Sequence, residues 1–147
     1  MADYLLDTNV LLRFSDAASP VHATAVDAVA VLLSRGDRVY ITAQNLIEFW
    51  AVATRPVDAN GFGWDARQAE QEVGKLLNFF LFLDDTPSVF RHWLALVTAH
   101  AVSGKQVHDA RLAAVMEAHG VASILTFNTR DFSRYPGLTA AGSVAVS

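Results

Sequence analysis

The chain has no cysteine, which excludes a disulfide framework and any thiolate metal centre. Its only lysines are Lys75 and Lys105, and its formal net charge is −4. A broad basic face for gripping nucleic acid by charge alone is therefore not available, although an enzyme that holds phosphates through a metal is still possible. Long apolar runs are missing too. The longest, Ala28 to Leu33, covers six residues and is far too short to span a bilayer. The amino-terminal stretch has no basic leader and is interrupted by Asp3 and Asp7, so it does not read as a secretory signal. Low-complexity tracts and internal repeats are absent. The expectation is a soluble, cytoplasmic protein with no membrane segment.

What is present is apolar and ordered. Hydrophobic residues make up 52% of the 147 positions and charged residues 18%. That balance predicts one globular domain over residues 1–147, long enough to bury roughly 70% of its unfolded surface.

The chain is organised around Leu5-Leu6-Asp7-Thr8-Asn9-Val10-Leu11-Leu12. A buried strand starting at Tyr4 ends on Asp7, and a helix over Thr8–Phe14 follows. Asp7 thus stands at the carboxyl end of a strand, where open α/β sheets bind ligands. A lone Asp before a helix also suits an N-cap.

Further along, Ser19 and Pro20 suit the N-cap and first turn of a helix over residues 20–34. Arg38–Thr42 is β-branched and aromatic, hence a strand, and Thr42 caps a helix over residues 43–54. Pro56–Gly63 is the strongest breaker cluster and reads as a loop, either a flap or a plain surface connection. A helix over residues 64–79, a buried strand over 80–83 and a helix over 87–102 come next. Asp84 and Asp85 between them read as strand-exit solvation without chemistry. A helix then starts near His108 and ends at His119-Gly120, and Ser123–Phe127 is a fourth strand. Ser143–Val146 reads as a short edge strand. Strands alternating with helices give an α/β class with a mostly parallel sheet of four to five strands.

Four acidic positions stand out in that frame. Asp7 follows the first strand. Glu48 sits in an almost continuously apolar helix, where a carboxylate needs a partner or a cation; Arg55, seven residues on, is the structural candidate. Asp109 opens a helix, where the dipole also favours an acid. Asn128 and Asp131 follow the fourth strand. All of them fall at or beside the same sheet edge. Carboxylates gathered there raise one another's pKa unless a cation neutralises them. Oxygen donors without cysteine select Mg²⁺ or Mn²⁺, whose natural chemistry with phosphates is phosphodiester hydrolysis. Arg13, Arg55, Arg111, Arg130 and Arg134 lie close in sequence to these acids and suit phosphate contact or charge balance.

These residues carry a resemblance. LLDTNVLLR, IEFW, RPVDANGFG and HDARLAAVMEAHGVASILTFNTRDFSRYPGL, in that order, resemble the PIN domain family, and within it the VapC-type toxins of bacterial toxin–antitoxin pairs. The resemblance implies a three-layer PIN-like sandwich and a metal-dependent endoribonuclease. It implies Asp7, Glu48 and Asp109 as Mg²⁺ ligands, with Mn²⁺ able to substitute, and Asp131 as a fourth catalytic acid. Thr8, Asn9, Asn128, Arg13 and Arg111 become candidate metal, water or substrate contacts. Many relatives carry an acid where this chain has Asn128, which ligates without adding charge. The resemblance also implies an RNA substrate, homodimers and a cognate antitoxin.

Three other readings compete. A phosphoacceptor receiver domain needs an acid pair after the first strand and a lysine after the last major one, and neither is present. A flap-endonuclease-type enzyme needs DNA-gripping elements for which 147 residues leave little room. A PIN-like domain that binds RNA or a partner without cutting is the alternative that keeps the fold.

Overall fold

The computed structural model describes residues 1–142. The edge strand expected over residues 143–146 lies outside the described residues. Among the described residues five strands form one sheet: β1 (Asp3–Leu6), β2 (Arg38–Thr42), β3 (Leu81–Leu83), β4 (Ser123–Thr126) and β5 (Thr139–Gly142). Their order is β3-β2-β1-β4-β5, and every pairing is parallel. Six helices pack around the sheet: α1 (Thr8–Phe14), α2 (His22–Ser34), α3 (Ala43–Ala53), α4 (Ala66–Phe79), α5 (Val89–Ala99) and α6 (Gln106–His119). The expected α/β sandwich is thus what the chain forms.

Side chains alternate across the strands, so the central strands β1 and β4 feed two cores. Leu6, Val39, Ile41 and Leu125 pack with Leu11, Val29, Leu32 and Phe49 under α1, α2 and α3. Leu5 and Ile124 face the opposite way, against Leu96, Leu112, Met116 and Phe132 under α5 and α6. These two cores make the three layers. Among the described residues no helix is long and apolar enough to cross a membrane.

Strand order sets the position of the site. The chain builds outward from β1 through β2 to β3, then returns to the other side of β1 with β4 and β5. The reversal lies between β1 and β4, and such a switch point leaves a crevice beyond the strands' carboxyl ends.

Several boundaries differ from the sequence reading. α2 starts at His22 and not at Pro20, because the Ser19 hydroxyl accepts from the Val21 N–H at 3.2 Å and its carbonyl from the His22 N–H at 3.1 Å. Those bonds make a turn ahead of the helix. α6 begins at Gln106, two residues before His108. β3, expected to be buried, is an edge strand with Leu81 47% and Phe82 38% exposed. The fifth strand lies at Thr139–Gly142, ahead of the position expected from sequence, because Thr-Ala-Ala-Gly has little strand propensity of its own and is held by its pairing with β4.

Candidate acidic site

Asp7 extends β1 by one step and occupies the N-cap position of α1, yet its carboxylate makes no side-chain cap there. Instead Asp7 Oδ2 accepts the Thr126 hydroxyl at 2.7 Å, and the Asp7 N–H donates to the Leu125 carbonyl at 2.9 Å. The register explains the meeting: Leu6 pairs with Leu125, so the next residues outward are Asp7 and Thr126. Asp7 is 6% exposed. Burial is the main reason its carboxyl is pushed up to about 6. The Thr126 hydroxyl and the Thr8 N–H oppose that rise, while Glu48 and Asp131 add to it.

Glu48 comes from the middle of α3, a helix fixed by a capping box in which Thr42 and Asn45 exchange hydrogen bonds. Each of its carboxylate oxygens has a donor. Thr8 Oγ1 donates to Oε1 at 2.6 Å, and Gln44 Nε2 donates to Oε2 at 3.1 Å. Among the described residues no ion pair includes Glu48, and Arg55 is exposed. The Arg55 partnership considered from sequence is not formed.

Asp109 lies in the first turn of α6 and is half-buried. Its carboxyl is pushed up to about 7, first by desolvation and then by the charges of Asp7, Asp131 and Glu48, with Arg134 opposing. Asp131 reaches the same region from a short 3₁₀ turn, Thr129–Asp131, after β4. The four acids therefore share one electrostatic environment, with burial and not mutual repulsion as the leading cause. The carboxylates are not clenched around one point, however. Among the described residues no group of three Asp, Glu or His side chains is gathered closely enough to hold an ion in this conformation. Their chemistry nevertheless fits a hard divalent cation: the donors are oxygens, no thiol competes, and burial beside other acids raises the carboxyls of Asp7 and Asp109.

The other candidates divide. Thr8 is 8% exposed and links Glu48 to Asn45, whose amide donates to Thr8 Oγ1 at 3.0 Å. Asn9 Oδ1 accepts from the Phe127 N–H at 3.4 Å, which ties α1 to the exit of β4. Asn128 is exposed, and its backbone N–H donates to Thr126 Oγ1 at 2.9 Å. Arg13 pairs with Asp16 at 3.6 Å and is not joined to the acids. Arg111 does border the site: it lies 3.2 Å from Asp85 and donates to Gln44 Oε1 at 3.0 Å.

Sequence reasoning passed over Thr126, Gln44, Asn45 and Asp85. Thr126 was findable once β1 and β4 were paired, and Gln44 stands one helical turn before Glu48. Asp85, read as strand-exit solvation, instead joins Gln44, Ile47, Glu48, His108 and Arg111 around an open cavity of about 450 Å³. A second cavity, also about 450 Å³, continues from Asp85, His108 and Arg111 to Thr86, Val89, Phe90 and Trp93.

Comparison with known proteins agrees with this architecture. The PIN domain family profile matches residues 4–138. Ribonuclease VapC24 of Mycobacterium tuberculosis is 26% identical over 135 residues, covering 88% of this chain and 89% of that protein. In fold, the chain is similar to VapBC2 from Rickettsia felis, bound to a DNA fragment from its promoter, with a TM-score of 0.70 at 17% identity over 95% of this chain and 98% of that one. It is also similar to VapBC-1 from nontypeable Haemophilus influenzae, with a TM-score of 0.72 at 17% identity over 97% and 98%.

Proposed function

The chain belongs to the PIN domain family, and from that premise we propose that it is a divalent-metal-dependent endoribonuclease, the toxin of a toxin–antitoxin pair. The observation that carries the reading is the electrostatic coupling of Asp7, Glu48, Asp109 and Asp131 beside the β1–β4 switch point. A structural acid is normally paired with a cation or used as a cap. Asp7 is neither, and burial, with smaller contributions from Glu48 and Asp131, pushes its carboxyl up to about 6.

In this reading Asp7, Glu48 and Asp109 hold Mg²⁺, for which Mn²⁺ can substitute. Asp131 is the fourth acid, and Asn128 offers an uncharged amide oxygen nearby. When bound, the cation lowers the pKa of water and offsets charge on the scissile phosphate. The chain's own residues set the geometry. Thr126 fixes the rotamer of Asp7, and Thr8 and Gln44 fix that of Glu48. Arg111, at the cavity wall, is placed to exchange its Asp85 contact for an RNA phosphate.

The named relatives support the remaining proposals, since VapC24 is named a ribonuclease and the structural neighbours are VapBC proteins. We take the substrate to be RNA, the partner to be a cognate antitoxin, the assembly to be a homodimer and the compartment to be the cytoplasm. Residues 1–147 form one catalytic unit in this reading.

The test is a cleavage assay on purified, partner-free protein with total bacterial RNA in Mg²⁺, Mn²⁺ or EDTA, alongside Asp109→Asn. Discrete fragments that require metal and vanish in the variant are expected. Well-folded protein that produces none with either metal would favour a PIN domain that binds without cutting.

A further inference from the structure

We infer that Gln44 is a positioning residue, an amide spacer that holds Glu48 and the backbone bearing Asp109 in register across the crevice. The inference rests on the proposed metal-binding role of the acids and assigns a residue that this role alone does not identify.

The geometry is specific. Gln44 is 8% exposed, and its side chain makes three polar contacts. Nε2 donates to Glu48 Oε2 at 3.1 Å and to the His108 carbonyl at 2.8 Å, while Oε1 accepts from Arg111 Nη1 at 3.0 Å. These partners also fix the orientation of the amide. A guanidinium has only donors, so the oxygen must face Arg111; a carboxylate and a carbonyl only accept, so the NH₂ must face them. Both amide protons are thereby used, one on the α3 acid and one on the carbonyl immediately before Asp109.

The opposite side of Glu48 is held in the same directed way. Asn45 donates to Thr8, so the Thr8 hydroxyl proton is left for Glu48 Oε1. Glu48 is thus suspended between two donors, and Gln44 is the one that reaches across to α6. A side chain that only filled space here would be apolar, because burying an amide requires that its polar atoms find partners. Every partner of Gln44 lies at the crevice: Glu48, the turn carrying Asp109, and Arg111, which Asp85 in turn anchors.

Partners that orient metal-binding carboxylates typically contribute a factor of about 10–100 in metal affinity or activity. The experiment is a Mn²⁺ titration followed by electron paramagnetic resonance on wild type, Gln44→Met, Gln44→Asn and Asp65→Ala, with circular dichroism on each. Met preserves length and removes both donors and the acceptor. Asn keeps an uncharged amide but is one methylene too short to bridge Glu48 and the His108 carbonyl, which guards against a Met variant that fails to fold. Asp65 caps α4 through Gln68, so its loss lowers stability without touching the crevice. Expected are native spectra, about 10–100-fold weaker Mn²⁺ binding in both Gln44 variants and unchanged affinity in Asp65→Ala. Excess Mn²⁺ should restore cleavage by the Gln44 variants. Wild-type affinity in a folded Gln44 variant, or an equal loss in Asp65→Ala, overturns the inference while leaving the metal site standing. A wild type that binds no Mn²⁺ removes the metal site itself, and the inference with it.

Discussion

Thr126 and Asp7 stand 119 residues apart in sequence and 2.7 Å apart in space, joined by a hydroxyl-to-carboxylate hydrogen bond across the ends of β4 and β1. The same hydroxyl accepts from the Asn128 N–H at 2.9 Å, so one side chain orients the buried acid and the start of the loop leading to Asp131. Thr126→Val keeps the shape and removes both bonds. The expected cost is about 1–3 kcal/mol at pH 8, where Asp7 is ionised and loses a buried donor, and less at pH 5, where it carries its own proton. Urea denaturation at the two pH values measures the difference. Equal losses at both would mean that the bond does not serve the charged form.

The protonation of the acids gives stability a definite slope. The folded-state pKa values of Asp7 and Asp109, about 6 and about 7, lie above their ordinary value of 3.8. Between that value and about pH 7 the folded chain holds protons that the unfolded chain has lost, so stability in EDTA falls as pH rises and levels off above. Below the ordinary value the penalty disappears. A divalent cation displaces those protons, so the melting temperature should rise more with Mg²⁺ at pH 8 than at pH 5. Melting curves indifferent to millimolar Mg²⁺ across that range would contradict a converged cation site.

Much of this was legible in the sequence, and the limits have physical causes. The run ending at Asp7, the capped helix of Glu48 and the start of α6 all announced themselves by local patterning, which is what propensity and capping encode. The element order then determined that Asp7 and the end of β4 face one crevice. What stayed hidden depends on contacts between distant elements. β5 exists through pairing with β4, the exposure of Phe82 follows from its strand lying at an edge, and Gln44 acquires meaning when the start of α6 meets α3 across the crevice. Burial as the main cause of the raised acids was hidden for the same reason, because desolvation belongs to the packed fold and not to the residue.

Glu48→Gln separates chemistry from packing. The amide keeps the size of Glu48 and an oxygen to accept one of its two hydrogen bonds, and no cation is left unpaired, because Arg55 is not its partner. The variant should melt within a few degrees of wild type while RNA cleavage falls by about 10²-fold or more. Arg55→Ala should leave the melting temperature unchanged. A large loss of stability in both variants would restore the structural pairing and remove Glu48 from the site.

The loop over residues 56–63 is either a moving flap or a fixed brace for the end of α3, and its contacts decide which. Gly61 N–H donates to the Pro56 carbonyl at 2.9 Å, Phe62 N–H to Val52 at 3.1 Å, and Trp64 N–H to Ala53 at 2.9 Å, so the loop folds back on the end of α3. The Phe62 and Trp64 rings meet the fully buried Phe49 edge-on, with centroids 6.3 and 6.1 Å away. A β-carbon on Gly61 would lie 2.0 Å from the Arg55 carbonyl oxygen, a backbone clash that no rotamer relieves. Gly61→Ala must therefore push the loop off α3 and loosen the packing of Phe49, the neighbour of Glu48. The expected cost is about 3 kcal/mol, read as a lower melting temperature, with reduced cleavage even well below that temperature. A mobile flap would absorb the methyl group with no change in melting, and that result would show that the loop is not the brace of α3.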